Sequence, residues 1–462
     1  MWYPDSETLR SPLHASLAAA IEQAILTEKL PAGSRLPPHR KMADRLGLSV
    51  HTVSKAYESL RKQNLIDGQV GRGSYVCGPG RSGRQAVQRE PDGGEGFNFS
   101  ASCPLQSQEH SRRFQHSLQQ LTAELAPQAF QAGYSAAGHE AHLAAAARWL
   151  AHCGLTARPD QILMTNGGSH GMSIALSALT RPGETVLADN ITHSLLVSGC
   201  SYLGLKLSGM ETDADGILPD ALENACRTSA PKALCLLPSL ANPVPVMMPE
   251  DRRRALARIA ENHGLYIIEN DALGPVAEDR PPPVSALLPD RSVYLTALNK
   301  CTVPGLQAGY MAAPGHLLPA LASRLLSFGG SGTLLMSELA SRWVMDGTAL
   351  ALAGWQRKTL KGRHRIAREV LQGVSWTGHP SALHLWLPLP DGWSSAGFSQ
   401  YARQLQIAVM PDMPFLPPGT CSPGAMRISL GTIQDEDHYR KGLAMIAALL
   451  DLKPDCLPHL AF

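Results

Sequence analysis

Val293-Tyr294-Leu295-Thr296 is a short apolar run, and three positions later the chain reads Asn299-Lys300. A run of that length bounded by turn residues predicts a buried strand. Comparable runs fall at 162–165, 185–189, 233–237, 265–269 and 310–312, separated by stretches with helical spacing. Strands alternating with helices predict an α/β fold with a mainly parallel central sheet. In such sheets ligands gather at the carboxyl ends of the strands, so the residues that follow each run are the ones to inspect.

Those residues form a pattern. After the first run, Asn166-Gly167-Gly168-Ser169 opens an apolar helix, whose backbone N–H groups and dipole suit a phosphate, although a glycine pair is also a common turn. After the third comes Pro238 to Asn242-Pro243, after the fourth Asn270-Asp271, and after the fifth Asn299-Lys300. A lysine, asparagines, an aspartate and a phosphate nest at successive strand ends suit an aldehyde cofactor, because a desolvated amine attacks an aldehyde to form an imine.

Ahead of this region the composition changes. Residues 78–97 contain Gly-Pro-Gly-Arg-Ser-Gly and Glu-Pro-Asp-Gly-Gly-Glu-Gly with little apolar periodicity, which predicts a flexible linker between a unit at 1–77 and a larger one at 98–462. In the first unit, Leu13, Leu17, Ala20, Ile21, Ala24 and Ile25 give a helix with one buried face. Pro37 and Pro38 open a second helix that Gly47 closes, and Ser49 caps a third whose inward face is Val53, Ala56, Tyr57 and Leu60. Leu65-Ile66 and Ser74-Tyr75-Val76, joined through Gly71-Arg72-Gly73, read as a wing.

The whole chain of 462 residues has 41 Lys and Arg against 39 Asp and Glu, a net +2, which excludes a protein built mainly to coat nucleic acid or an anionic membrane. Residues 31–76 nevertheless hold eight Lys or Arg and three Asp or Glu, so the basic function is local. Short polar side chains at the start of the third helix and cations at its flanks suit base edges and phosphates, which makes Ser49, His51, Thr52, Lys55, Arg40, Arg72 and Gly73 the candidate DNA contacts. The same pattern also fits a three-helix packing module with a solvated basic face. No run of about eighteen apolar residues and no secretion signal occur, so a cytoplasmic location is expected. Nine Cys without paired metal-ligand spacing read as reduced thiols, mostly core filler.

Two resemblances sharpen this reading. Gly33 to Ala43, with Leu36-Pro37-Pro38-His39-Arg40, then Leu46-Gly47-Leu48-Ser49-Val50-His51-Thr52-Val53, Ala56-Tyr57 and Gly71-Arg72-Gly73-Ser74-Tyr75-Val76, resembles the winged helix-turn-helix of GntR-type bacterial regulators. Asn299-Lys300-Cys301-Thr302-Val303-Pro304-Gly305-Leu306-Gln307-Ala308-Gly309-Tyr310 is similar to the lysine segment of fold-type I aminotransferases, and the two together resemble the MocR subfamily. The resemblance implies a pyridoxal 5'-phosphate cofactor joined to Lys300, its phosphate on Gly167, Gly168 and Ser169, its phenolic oxygen on Asn242, and Asn270 and Asn299 among its further contacts. It implies His193 against the ring and Arg427, in Met426-Arg427-Ile428-Ser429-Leu430, on a substrate or effector carboxylate. A surface position for His193 and a structural ion pair for Arg427 remain open. A homodimer on a paired DNA operator is likewise implied.

Departures from the family pattern cluster at the cofactor. Asn270-Asp271-Ala272-Leu273 stands where the family has Asp-x-x-Tyr, so Asn270 replaces the carboxylate that keeps the ring nitrogen protonated and Leu273 replaces the Tyr. Asp271 takes that role only if the strand shifts register. Gln307 replaces a phosphate-binding Arg, Ala297 a Ser or Thr, Pro245 a Gly, and Val50 an Arg of the winged helix. These changes weaken the electron sink and the phosphate grip, so the expected function is a DNA-binding transcription regulator whose aminotransferase-like domain binds the cofactor and senses it, an amino acid or an amine. A working aminotransferase, and a regulator with a degenerate site serving as a dimerisation scaffold, are the alternatives.

Overall fold

A computed structural model describes residues 2–5, 9, 12–26, 29–30, 34–62, 65–69, 73–76, 96–124 and 139–452. The chain divides into two compact units, Met1–Glu90 with Lys453–Phe462, and Pro91–Leu452. The sequence-predicted linker and Arg72 lie almost wholly outside the described residues. Phe97, assigned to that linker by composition, is instead 5% exposed and forms a strand of the large unit.

In the first unit, α1 (Leu13–Leu26), α2 (His39–Leu46) and α3 (Val50–Lys62) precede a hairpin of β1 (Ile66–Gln69) and β2 (Gly73–Val76). The prolines do not enter α2. Pro38 is its N-cap, and Gly47 ends it in the left-handed region at φ +65°. Val53, Ala56, Tyr57 and Leu60 are each 0% exposed and close a core with Leu17, Ile21, Met42, Ile66 and Val76. The Tyr57 hydroxyl donates to the Pro37 carbonyl at 2.8 Å, which ties α3 to the segment before α2. The hairpin is antiparallel with Ile66 opposite Val76, and Arg35 bridges to Tyr75, so the segment before α2 runs beside the wing.

In the large unit the elements that frame the site are β3 (Phe97–Asn98), α4 (Gln108–Glu124), α5 (Glu140–His152), β4 (Ile162–Thr165), α6 (Gly167–Leu179), β5 (Thr185–Asp189) and β6 (Lys206–Met210). A short hairpin, β7 (Thr212–Asp213) and β8 (Gly216–Ile217), precedes β9 (Ala233–Leu236), β10 (Tyr266–Asn270), β11 (Ser292–Ala297) and β12 (Gly309–Ala312). The central sheet has seven strands in the order β4-β12-β11-β10-β9-β5-β6. Only β12 runs antiparallel to its neighbours, so the sheet is mainly parallel as the alternation of runs implied, with β6 as an edge strand the runs did not reveal.

Adjacent strand residues face opposite layers. Ile268 and Cys235 join a core with Ile174, Leu176 and Leu295, whereas Ile267 and Leu234 join one with Leu187, Leu256 and Val284. A smaller sheet follows, in which β13 (His384–Pro388), β16 (Ala425–Ser429) and β15 (Met410–Pro411) pair antiparallel, while β14 (Ile407–Ala408) pairs in parallel with β3.

Candidate functional site

The carboxyl ends of the parallel strands converge on one cavity lined by Ser102, His193, Asn242, Asn270, Leu273 and Lys300, among others. Burial, with the nearby Arg427 cation, lowers the Lys300 pKa, and its Nζ donates to the carbonyl of Ser102. An amine eased toward its neutral form in a partly enclosed site is the state in which lysine acts as a nucleophile.

Strand alternation decides between Asn270 and Asp271. Asn270 ends β10 on the face that carries Ile268, and a Cβ added at Gly168 would lie 3.6 Å from its Oδ1, so its amide reaches the start of α6. That Oδ1 is buried without a hydrogen-bond partner among the described residues. Asp271 faces away: it is 1% exposed, its Oδ2 accepts from Arg280 and from the Tyr294 hydroxyl, and it does not line the cavity. The register shift that would bring Asp271 to the ring nitrogen does not occur.

The start of α6 forms a second part of the site. Gly167 sits at φ +79°, where a side chain would be strained, and a Cβ there would meet the Gln307 Oε1 at 3.0 Å and the Asn299 Nδ2 at 4.0 Å. Asn166 at the N-cap makes no side-chain capping bond to α6, its Oδ1 accepting instead from the Thr333 amide at 3.2 Å, so the first-turn amides keep their capacity for an anion. Ser169 is exposed. Asn299 therefore belongs with the α6 terminus, apart from the residues that line the cavity.

Arg427, on β16, lies 4% exposed in the interior. Its Nη1 donates to the Asn242 Oδ1 at 3.0 Å, its Nη2 donates to the Ser100 carbonyl, and its guanidinium lies 5.1 Å from the Phe415 ring centroid. Burial pulls its pKa down to about 10, which leaves it a cation at neutral pH, and its Nε has no partner among the described residues. No carboxylate among the described residues pairs with it. His193 is pushed down to about 4 by burial and by the Lys300 and Arg427 charges, so it presents a neutral ring to the cavity.

The residues present fit a pyridine aldehyde phosphate in part. Lys300, Asn242 and His193 line one cavity and the α6 terminus is uncapped, so an amine, an amide, a neutral ring and free first-turn amides would suit its aldehyde, phenolic oxygen, ring and phosphate. Asn270 brings no charge to a ring nitrogen, Gln307 brings none to a phosphate, and Leu273, 7% exposed, brings no hydroxyl. The carbonyls of Ser100 and Ser102 were missed by sequence reasoning, because a backbone oxygen leaves no mark on residue type. His384 was missed as well: it is fully buried on β13, is held neutral by burial, and has an Nε2 3.2 Å from the Ala241 carbonyl beside Asn242.

At the DNA-binding candidates, Arg40, Ser49, His51 and Lys55 are exposed and Thr52 is half-buried. The Ser49 Oγ accepts from the Thr52 amide at 3.0 Å and lies 2.8 Å from the Thr52 Oγ1, so these two hydroxyls are used in capping α3. Gly73 begins β2.

The fold and site define a winged-helix unit joined to a unit of the pyridoxal-phosphate-binding aminotransferase class. The family of class I and II aminotransferases matches residues 95–441, and the gntR family of bacterial regulatory proteins matches residues 13–76. The chain belongs to the class I and II aminotransferase family through its large unit, and its winged helix makes it a GntR-type DNA-binding regulator of the MocR architecture.

It is 26% identical over 453 residues to the HTH-type transcriptional regulator YdeF of Bacillus subtilis, covering 97% of each chain. It is 25% identical over 365 residues to the probable rhizopine catabolism regulatory protein MocR of Rhizobium meliloti, covering 73% of this chain and 72% of that protein. The α-aminoadipate aminotransferase LysN of Thermus thermophilus shares the fold at a TM-score of 0.71 and 20% identity, over 77% of this chain and 92% of that one. Among the described residues no helix is long and apolar enough to cross a membrane, and no cluster of ligating side chains could hold a metal ion.

Proposed function

We propose that this regulator binds pyridoxal 5'-phosphate at Lys300 and uses the site to sense that cofactor, an amino acid or an amine. When bound, the cofactor supplies an electrophilic aldehyde that captures amines. The chain's own groups position it: the α6 terminus with Gly167, Gly168, Ser169 and Asn299 for the phosphate, Asn242 for the phenolic oxygen, His193 against the ring, Asn270 at the ring nitrogen, and Arg427 for an effector carboxylate. The observation that carries the sensing role is the pair of grips on residues 100–102. Lys300 holds the Ser102 carbonyl and Arg427 holds the Ser100 carbonyl. Those residues follow β3, where the chain enters the large unit. A ligand that engages Lys300 and Arg427 competes with both grips and loosens this entry segment, which gives binding a mechanical consequence.

Turnover is disfavoured, because the neutral amide of Asn270 cannot sustain a protonated ring nitrogen and only a protonated ring withdraws electrons strongly. A homodimer on a two-fold operator completes the reading. The test is the visible absorbance of the purified protein with added pyridoxal 5'-phosphate, beside Lys300→Ala. A band in the parent that is lost in the variant supports the reading. The same featureless spectrum in both would leave a winged-helix regulator with a repurposed fold.

A further inference from the structure

We propose that Val50 is a sequence-reading residue of the DNA-binding unit, packing against the 5-methyl group of a thymine in the major groove. The inference rests on the DNA-binding reading above and concerns what that surface selects.

Val50 is the first residue of α3, because Ser49 is spent as its cap. The inward face of α3 is completed by Val53, Ala56, Tyr57 and Leu60, each 0% exposed, whereas Val50 is 44% exposed. Among the described residues of this unit, Val50 and Leu13 are the exposed large apolar side chains. Leu13 begins the first helix, outside the helix-turn-helix pair, while Val50 sits at the start of the second helix of that pair, with His51 and Lys55 exposed on the same helix and Arg40 and Lys41 exposed on α2.

An exposed apolar group on a helix-turn-helix pair that also exposes Arg40, Lys41 and Lys55 does little for the unit's core, but it matches a groove edge that lies between phosphates. The first turn of such a second helix is the part that meets base edges. Thymine presents the one methyl group on that edge, and apolar side chains contact it. The capping pair strengthens the assignment. Ser49 and Thr52 satisfy each other and the helix amide and Val53 is buried, so Val50 and His51 are the first-turn side chains that face solvent, and Val50 is the apolar one of the two. Its β-branched side chain has few rotamers to lose on contact.

The experiment selects duplexes from a random-sequence DNA library with the full-length protein, in parent and Val50→Ala forms. Each thymine of the enriched duplex is then replaced in turn by deoxyuridine, which lacks only the methyl group. At one thymine of each half-site the replacement is expected to weaken parent binding about three- to fivefold per half-site, the yield of one buried methyl group. Val50→Ala, whose side chain keeps only the Cβ methyl, should discriminate between the two duplexes less than the parent does. An enriched duplex at which no methyl matters to the parent, or a Val50→Ala protein that discriminates as the parent does, overturns the proposal while leaving DNA binding intact. Failure to enrich any sequence overturns the DNA-binding reading itself and takes the proposal with it.

Discussion

Lys300 donates through its Nζ to the backbone carbonyl of Ser102, so the candidate cofactor lysine and the segment entering the large unit share one hydrogen bond. A charge-assisted bond of this kind is worth about 1.5–3 kcal/mol, and its loss accelerates local opening by roughly ten- to a hundredfold. The Ser100 amide donates to the Asn98 Oδ1 at 3.0 Å and the Cys103 amide to the Ala101 carbonyl at 3.0 Å, so both report on the segment. Added pyridoxal 5'-phosphate is expected to speed hydrogen exchange at these amides in the parent. Lys300→Ala should show the faster exchange without the cofactor. A visible band that forms while exchange stays unchanged would remove the segment from the signalling route.

Asn270→Asp places a carboxylate where a buried amide oxygen already lacks a partner among the described residues. Leaving such a group unsatisfied costs about 1–3 kcal/mol, more when it is charged, so the variant should be less stable than the parent in the absence of cofactor. Pairing with a ring nitrogen restores that loss. Denaturation followed with and without pyridoxal 5'-phosphate should therefore show a larger cofactor-induced gain in the variant. Equal gains in the two proteins would show that position 270 does not face the ring.

The contrast between positions 270 and 271 also marks what a sequence can carry. Strand alternation alone placed Asn270 toward the cavity and Asp271 away from it, and the ends of the strands pointed to Lys300 and Asn242, because parallel sheets expose those positions for topological reasons, whereas His193 was marked by the family resemblance. Phe97 was misassigned because the glycine-rich composition before it masks a two-residue strand whose partner, Ile407, lies far along the chain. Residues 100–102 and His384 were invisible for a related reason. They act through a main-chain oxygen or through a distant strand, and neither leaves a local pattern.

Asp271 is committed to structure. Its carboxylate is 1% exposed and is shared by Arg280 and Tyr294. Removing one partner of a buried pair strands the other charge at a cost of about 3–5 kcal/mol. Asp271→Ala is expected to lose stability on that scale by urea denaturation, while the visible band with pyridoxal 5'-phosphate survives at temperatures where the protein stays folded. A stable variant without the band would return Asp271 to the cofactor site.

His364 supplies a pH dependence of known sign. It is 2% exposed, has its Nε2 2.8 Å from the Ala382 carbonyl, and burial pulls it down to about 4. Between pH 4 and about 6.5 the unfolded chain holds a proton here that the folded chain does not, so stability falls as pH falls through this window. The full effect is about 3 kcal/mol. His364→Gln should lose less stability than the parent between pH 7 and pH 4. Parallel pH profiles would mean that the ring is already charged in the fold.

Arg40 and Lys55 stand exposed on α2 and α3, where phosphate contacts are expected. Each phosphate contact releases condensed counterions, so its removal lowers the slope of log affinity against log salt by about 0.9. The double variant Arg40→Ala, Lys55→Ala should bind duplex DNA more weakly at low salt and with a slope shallower by about 2 per half-site, or about 4 for a dimer on both half-sites. The loss should be similar across sequences, because phosphates carry no base information. That uniformity separates these cations from Val50, whose replacement is expected to matter only where a thymine methyl is present. Unchanged slope with weakened binding would place Arg40 and Lys55 in the packing of the unit and move the phosphate contacts to other residues.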